Sequence, residues 1–188
     1  YGSKVLPYEE ASRAPLIIYD PRHENSGQQI RCQTLTGNID MAPTILALAG
    51  IAPPDDVDGK DLMALYGNPE SSVHRALPLI NVWGPVACHS LAVVTRRQKF
   101  IYWPYGGKGF EPTEELYDLQ NDALEMKNLV SSEDHREALA SLREQFDACV
   151  SRWKRDAVPY HRYQLFGTVF DRRIPWKEKD EAYRSGRR

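Results

Sequence analysis

The chain has 188 residues, room for one ordinary domain or two small ones. With 41% hydrophobic and 27% charged residues, it has the make-up of a folded globular body rather than a fibrous or disordered one. A net charge of -2 favours no class of partner and gives no reason to expect nucleic acid, and no apolar run approaches the roughly 20 residues that span a bilayer.

The charge is unevenly placed. Ten Lys/Arg and five Asp/Glu lie from Lys154 to Arg188, so that stretch carries +5 and the remainder -7. Its plain reading is a solvated tail draped over a surface; a basic strip for an acidic ligand is the alternative. No Met stands at position 1 and no signal peptide is visible, so the chain is expected to begin within a longer protein. Cys32, Cys88 and Cys149 form neither a CxxC pair nor a Cys/His metal spacing and read as buried or half-buried free thiols, with one disulfide and a spare thiol as the alternative.

In chain order, Tyr8 to Arg13 is polar and reads as a turn or helical loop. Leu16-Ile17-Ile18-Tyr19 is a short apolar run ending at Asp20-Pro21, a buried strand of the kind found in parallel sheets. His23 to Gln29 is a polar loop. Asp40 can cap a helix that carries Pro43 in its first turn and an apolar face of Met41, Ile45, Leu46, Leu48 and Ala49; Gly50 is its stop. Pro53 to Asp56 must be loop, and Asp61 to Tyr66 a short helix.

The pattern then changes. Leu77–Val82, Leu91–Thr95, Lys99–Trp103 and Glu115–Leu119 read as four strands joined by short turns, hence an antiparallel sheet. From Asp134 to Lys154, Leu139, Leu142, Phe146, Val150 and Trp153 recur every three or four residues, a helix with one apolar stripe to lay on that sheet. Beyond Lys154 the sequence reads as irregular, with scattered aromatics that could pin an extended tail.

Several chemical motifs fail on inspection. Gly106-Gly107-Lys108-Gly109 lacks the spacing of a phosphate loop and reads as a hairpin loop. Asp55 to Gly59 is acidic, but a calcium-loop register would put Pro54 and Leu65 at the first and last ligand positions. The five histidines are dispersed, none in an HxxxH pair, and read as surface or internally satisfied residues.

A resemblance is carried by several short pieces in order. Gly2-Ser3-Lys4 and Tyr8-Glu9-Glu10-Ala11-Ser12-Arg13-Ala14-Pro15-Leu16-Ile17-Ile18 come first. Asn38-Ile39-Asp40-Met41-Ala42-Pro43-Thr44-Ile45-Leu46 with Ala49-Gly50-Ile51 follows, then Asp58-Gly59-Lys60-Asp61-Leu62. Arg97-Gln98-Lys99-Phe100-Ile101-Tyr102 is next, and last Glu115-Leu116-Tyr117-Asp118-Leu119 with Asp122, Glu125 and Asn128-Leu129. Together they resemble the C-terminal portion of the formylglycine-dependent sulfatases, in the alkaline phosphatase superfamily. Ala123 stands where Pro is usual in that family, and Asp61 where Ser is usual.

The resemblance implies an α/β fold with an α+β small domain. Residues 1–70 would be the C-terminal end of the large sulfatase α/β domain. Residues 71–154 would be the small domain, a four-stranded antiparallel sheet packed with one long helix, and 155–188 an irregular basic tail. It implies a sulfuric ester hydrolase whose formylglycine nucleophile and calcium ligands precede Tyr1, so no metal ligand is expected in this chain and the chain alone should be inactive. No Cys or Ser here is followed by Pro and Arg at the nucleophile motif's spacing.

Only Lys4 matches a family catalytic residue. Its ammonium would bind a sulfate oxygen and stabilise charge on the leaving oxygen. Tyr8, Glu9 and Arg13 would be scaffold for the loop that aims it. Trp83 and His89, between the first two strands, are candidates for binding the leaving group, with packing as the competing role for each. The resemblance further implies a sulfated small molecule or glycan as substrate and a periplasmic or secreted location. For the isolated chain it implies exposed apolar surface, disorder or self-association before about residue 70. Two other readings stay open: a phosphodiesterase or phosphonate monoester hydrolase of the same superfamily, and a non-catalytic module binding a sulfated glycan.

Overall fold

The computed structural model describes residues 6–185. The chain divides into two compact units, one running Pro15–Leu77, the other made of the residues up to Ala14 together with everything from Pro78 onward. In chain order the elements are α1 (Glu9–Ser12), α2 (Met41–Leu48), α3 (Ala64–Gly67), β1 (Leu77–Asn81), β2 (Ser90–Val94), β3 (Gln98–Trp103), β4 (Thr113–Asp118), α4 (Arg136–Asp156), α5 (Gln164–Val169) and α6 (Trp176–Ser185).

The four strands form one antiparallel sheet in the order β1-β2-β3-β4, as the alternation of the sequence predicts. Register places Val93 opposite Phe100 and Phe100 opposite Leu116; Ala92 faces Ile101, and Lys99 faces Tyr117. Because side chains alternate across a strand, Leu91, Val93, Phe100, Tyr102 and Leu116 share one face, and Ala92, Val94, Lys99, Ile101, Trp103 and Tyr117 share the other.

The first face is closed by α4. Leu139, Leu142, Phe146 and Val150 are its buried residues, and the Phe146 ring meets Phe100 and Tyr102 edge-on, at centroid distances of 5.4 and 5.8 Å. Trp153, the last residue of the expected stripe, turns to the segment that follows, its indole N–H donating to the Tyr163 carbonyl at 2.7 Å. The second face is covered by the N-terminal segment. Tyr8 packs with Trp103 and Tyr117 over the cluster of Ala92, Ile101 and Tyr117.

Two expectations need correction. The residues after Lys154 are not an irregular tail but carry α5 and α6, with Phe166, Val169, Phe170 and Tyr183 buried. Periodicity could not find them because α5 has six residues, too few to show a period. In α6 the middle inward position between Trp176 and Tyr183 is held by Lys179, which breaks the apolar pattern. Lys179 is fully buried: its stem packs and its Nζ lies 2.6 Å from the Tyr102 hydroxyl, 4.7 Å from the centre of that ring. Gly106 is required here, since a Cβ on it would meet Trp176 and Pro112 at 2.8–3.0 Å.

The second correction is Leu16–Tyr19, which is not a strand; no strand among the described residues pairs with it. Ile17 is 90% exposed and Tyr19 72%. The segment is tied instead by the Tyr66 hydroxyl, which donates to the Ile18 carbonyl at 2.7 Å and accepts from the Asp20 N–H at 3.1 Å.

In the rest of the Pro15–Leu77 unit, Asp40 stands before α2 but does not cap it: its side chain makes no hydrogen bond to the helix and accepts from the Gly37 and Lys60 N–H groups instead. One 3-10 turn, Asn38–Asp40, leads into α2, with Pro43 in the first helical turn. Gly50 ends the helix with φ near +70°, the left-handed conformation a β-carbon disfavours. Its N–H bonds to the Ala47 carbonyl, and the Ile51 N–H to that of Leu46, closing the last turn.

Candidate functional site

Lys4, the one residue the resemblance marks as catalytic, lies outside the described residues. What is described is the chain that leaves it. Three residues on, the Pro7 carbonyl accepts from the ammonium of Lys99 at 2.8 Å. That same ammonium reaches Glu9 Oε1 at 2.8 Å and Glu125 Oε1 at 2.9 Å, and Lys99 is wholly buried. The other oxygen of Glu125 accepts the backbone N–H of Glu9 at 2.5 Å. Beside them, the Tyr8 hydroxyl donates to Glu115 Oε2 at 3.1 Å. Burial and the Glu115 charge push the Tyr8 phenol up to about 12, so it stays a donor.

Sequence reasoning missed this cluster as a unit, although it quoted Glu9, Lys99 and Glu125 separately. The available signal was Lys99 itself, a charge in a strand position whose neighbours on that face, Val94, Ile101 and Tyr117, are all apolar or aromatic.

Glu125 is placed by its own loop. Its φ of +54° is unusual for a residue with a β-carbon. The turn is held by Asp122, whose carboxylate accepts the N–H groups of Met126 and Lys127 at 3.0 and 2.8 Å. Asn128 then stitches the loop to β4, its Oδ1 accepting from the Leu116 N–H at 3.0 Å, while the Leu129 N–H bonds to the Leu116 carbonyl.

The remaining quoted pieces meet in the Pro15–Leu77 unit around Asp40, which is fully buried. One of its oxygens accepts the N–H of Gly37, and the other accepts the N–H of Lys60 and lies 2.7 Å from His74 Nε2. Thr44 Oγ1 donates to the Asp40 carbonyl and accepts the Leu62 N–H. Gly59 lets the two segments touch, because a Cβ there would sit 1.9 Å from the Ile39 carbonyl oxygen. Asp40 and Gly59 therefore build shape rather than chemistry.

Trp83 and His89 both sit in the β1–β2 connection, and the structure treats them differently. Trp83 is 76% exposed. His89 is buried, its Nδ1 lies 2.8 Å from the Tyr183 hydroxyl, and burial lowers its pKa, opposed by a hydrogen bond that the ring donates to the Gly84 backbone. Cys32, Cys88 and Cys149 are free. Among the described residues no three His, Cys, Asp or Glu side chains are grouped as a metal site, and no helix is long and apolar enough to cross a membrane.

The chain belongs to the family described as N-sulphoglucosamine sulphohydrolase, C-terminal, whose model matches residues 1–152. It is 30% identical over 141 residues to the arylsulfatase of Clostridium perfringens, covering 74% of this chain and 28% of that protein. A solved 2-O GAG sulfatase superposes with a TM-score of 0.57 at 24% identity, over 80% of this chain and 32% of its own. The phosphonate monoester hydrolase of Agrobacterium radiobacter superposes with a TM-score of 0.52 at 20% identity, over 68% and 27%. These two superpositions speak for the fold. The chain thus spans under a third of the length of each of these proteins.

Proposed function

We propose that this chain is the C-terminal part of an enzyme that hydrolyses sulfate esters, and that its described residues shape and border the site rather than perform the bond cleavage. The observation that carries the reading is the family match over residues 1–152, in which the quoted motif residues make mutually dependent contacts.

In this reading the formylglycine and the calcium ligands belong to the part of the protein upstream of Tyr1; bound there, they supply the nucleophile and the charge that polarises the sulfuryl group. Lys4 contributes from this chain. A compact ammonium facing a sulfate oxygen neutralises charge that grows as the ester bond breaks, in a water-poor site where such a contact is worth most. The exposed Trp83 offers a flat apolar face for the leaving group, a sulfated small molecule or glycan. His89, held against Tyr183, keeps that loop in place.

The test compares the isolated 188-residue chain with the intact protein, using p-nitrophenyl sulfate and a phenyl phosphonate ester as substrates. The intact protein should release sulfate, and the isolated chain should be inactive. Metal-dependent turnover by the isolated chain would overturn the reading. Preference of the intact protein for the phosphonate ester would move it to the hydrolase alternative.

In the intact enzyme, Lys4→Ala should lower kcat by roughly two to three orders of magnitude, the scale of losing one such electrostatic group. Lys4→Arg should restore only part of it, since a planar fork does not replace a point charge. Steady-state kinetics beside a thermal melt decide this, because a loss explained by unfolding would remove Lys4 from the site.

A further inference from the structure

We propose that Lys99 and Glu125 are positioning residues for sulfate ester cleavage, fixing the main chain at Pro7–Glu9 and through it the lysine three residues upstream; this rests on the reading of Lys4 given above. Three features of the cluster carry the inference.

First, the ammonium of Lys99 donates to Pro7 O at 2.8 Å and is ion-paired with Glu9 Oε1 and Glu125 Oε1 at 2.8 and 2.9 Å, although Glu125 Oε1 accepts no hydrogen bond. Second, the groups held include backbone as well as side chain. The Pro7 carbonyl is held by Lys99 and the Glu9 N–H by Glu125, so the path of the chain is set on both sides of Tyr8. Tyr8 adds its own tie to Glu115. Third, a buried ion cluster is poor value for stability alone, since apolar residues of the same size commonly do as well. The face that holds Lys99 already has Ile101 and Tyr117 to pack with Tyr8. What the charges add over an apolar filling is direction, fixing the segment that enters the catalytic lysine.

Placement matters to rate because a shift of about 1 Å in a reacting or charge-stabilising group can cost on the order of a hundredfold. Lys99→Met keeps the stem and removes the hydrogen bond to Pro7 and both ion pairs. Glu125→Gln keeps the shape and weakens the grip on Glu9.

The experiment is a double-mutant cycle in the intact enzyme, read as kcat/KM on p-nitrophenyl sulfate, with a melt for each variant. Lys99→Met and Glu125→Gln should each lower kcat/KM by roughly ten- to a hundredfold while the protein stays folded at the assay temperature. In a Lys4→Ala background the same changes should cost little more, because the residue they aim is already gone. That lack of additivity is what a merely structural role would not produce.

If Lys4→Ala is impaired but Lys99→Met and Glu125→Gln turn over like wild type, or if their losses multiply unchanged in the Lys4→Ala background, the positioning role is wrong and the Lys4 reading survives. If Lys4→Ala itself turns over normally, the Lys4 reading fails first. If neither Lys99→Met nor Glu125→Gln folds, the cluster is a stability element and the proposal is overturned.

Discussion

Phe100, Ile101, Leu116, Phe146 and Val169 are completely buried in the sheet-bearing unit, whereas Ile17, Tyr19, Ile45 and Ile51 of the Pro15–Leu77 unit stand 55–90% exposed. The first unit is held by apolar layers on both faces of a sheet, with charged groups set into each, Lys99 with Glu9 and Glu125 on one and Lys179 and Arg172 on the other. The second is held at a few polar points, Asp40, Thr44 and the Tyr66 hydroxyl, which tie loops together by their main chain. Area removed from water is cumulative, while a polar hub depends on each of its partners. The two units should therefore fail in different ways.

The largest effect is expected from Leu142→Asp. Leu142 lies in the middle of the α4 stripe with 2% of its surface exposed. An unpaired carboxylate there loses the packing of the leucine and has no partner, and the cost should be roughly 3–5 kcal/mol. Thermal denaturation followed by circular dichroism should show the sheet-bearing unit melting far earlier. An unchanged midpoint would mean that the stripe does not pack on the sheet.

Asp40→Ala should cost about 2–4 kcal/mol by leaving the Gly37 and Lys60 N–H groups and His74 without their acceptor. Its mark should be local. Amide exchange at Gly37, Lys60 and Leu62 should quicken while Phe100 and Ile101 keep their protection. Equal loosening of the sheet amides would break the comparison, because it would make the two units one cooperative block.

A third test sharpens the contrast from inside the apolar unit. Burial lowers the Lys179 pKa to about 8, against a partly compensating Asp171, while the unfolded side chain titrates near 10.4. The unfolded chain therefore binds more protons between about pH 8 and 10.4, and stability contributed through Lys179 rises with pH across that window. Burial also raises Tyr102 to about 12, so its contribution is lost as pH climbs from about 10 through 12. Lys179→Met should remove the rise between pH 8 and 10.4 and stabilise the chain by about 1–2 kcal/mol near pH 7, where the buried charge is otherwise carried. Denaturant midpoints of both proteins at pH 7, 9 and 10 would show it. A variant less stable than wild type at every pH would mean that the bond to Tyr102 outweighs the cost of burying the ammonium.

How much of this could be read beforehand follows from what each element leaves in the sequence. The four strands and α4 show their periods plainly, since alternation and the 139-142-146-150 spacing are long enough to count. α5 is too short, and α6 hides its inward face behind Lys179, so both looked like tail. Leu16–Tyr19 has the composition of a buried strand, but a strand is made by its neighbours, and no strand lies beside it among the described residues. For the site, Glu9, Lys99 and Glu125 were each visible as motif letters. Their meeting was not, because residues 9 and 125 are brought together by the fold and no local spacing records it. His89 shows the limit from the other side. A lone histidine in a loop has two plausible roles, and the hydrogen bond to Tyr183 comes from α6, an element the sequence did not reveal.

The smallest effect, and the sharpest use of the comparison, is expected at Ile17. At 90% exposure its side chain buries almost nothing in this chain, so Ile17→Ser should change the stability of the isolated chain by no more than about 0.5 kcal/mol. The apolar run of Leu16, Ile17 and Ile18 nevertheless has the make-up of a strand covered on both faces, which in the proposed enzyme would be supplied by the rest of the large α/β domain. The same substitution in the intact enzyme should then cost about 1–3 kcal/mol, the loss of a buried aliphatic group plus the burial of a hydroxyl. In the isolated chain it should also weaken any concentration-dependent association, since among the described residues it removes the most exposed of the large apolar side chains. Chemical denaturation of both forms, with light scattering of the isolated chain, measures the three quantities together. A cost under about 0.5 kcal/mol in the intact enzyme as well would show that Ile17 stays at a free surface there, and the Pro15–Leu77 unit would have to be regarded as complete in itself.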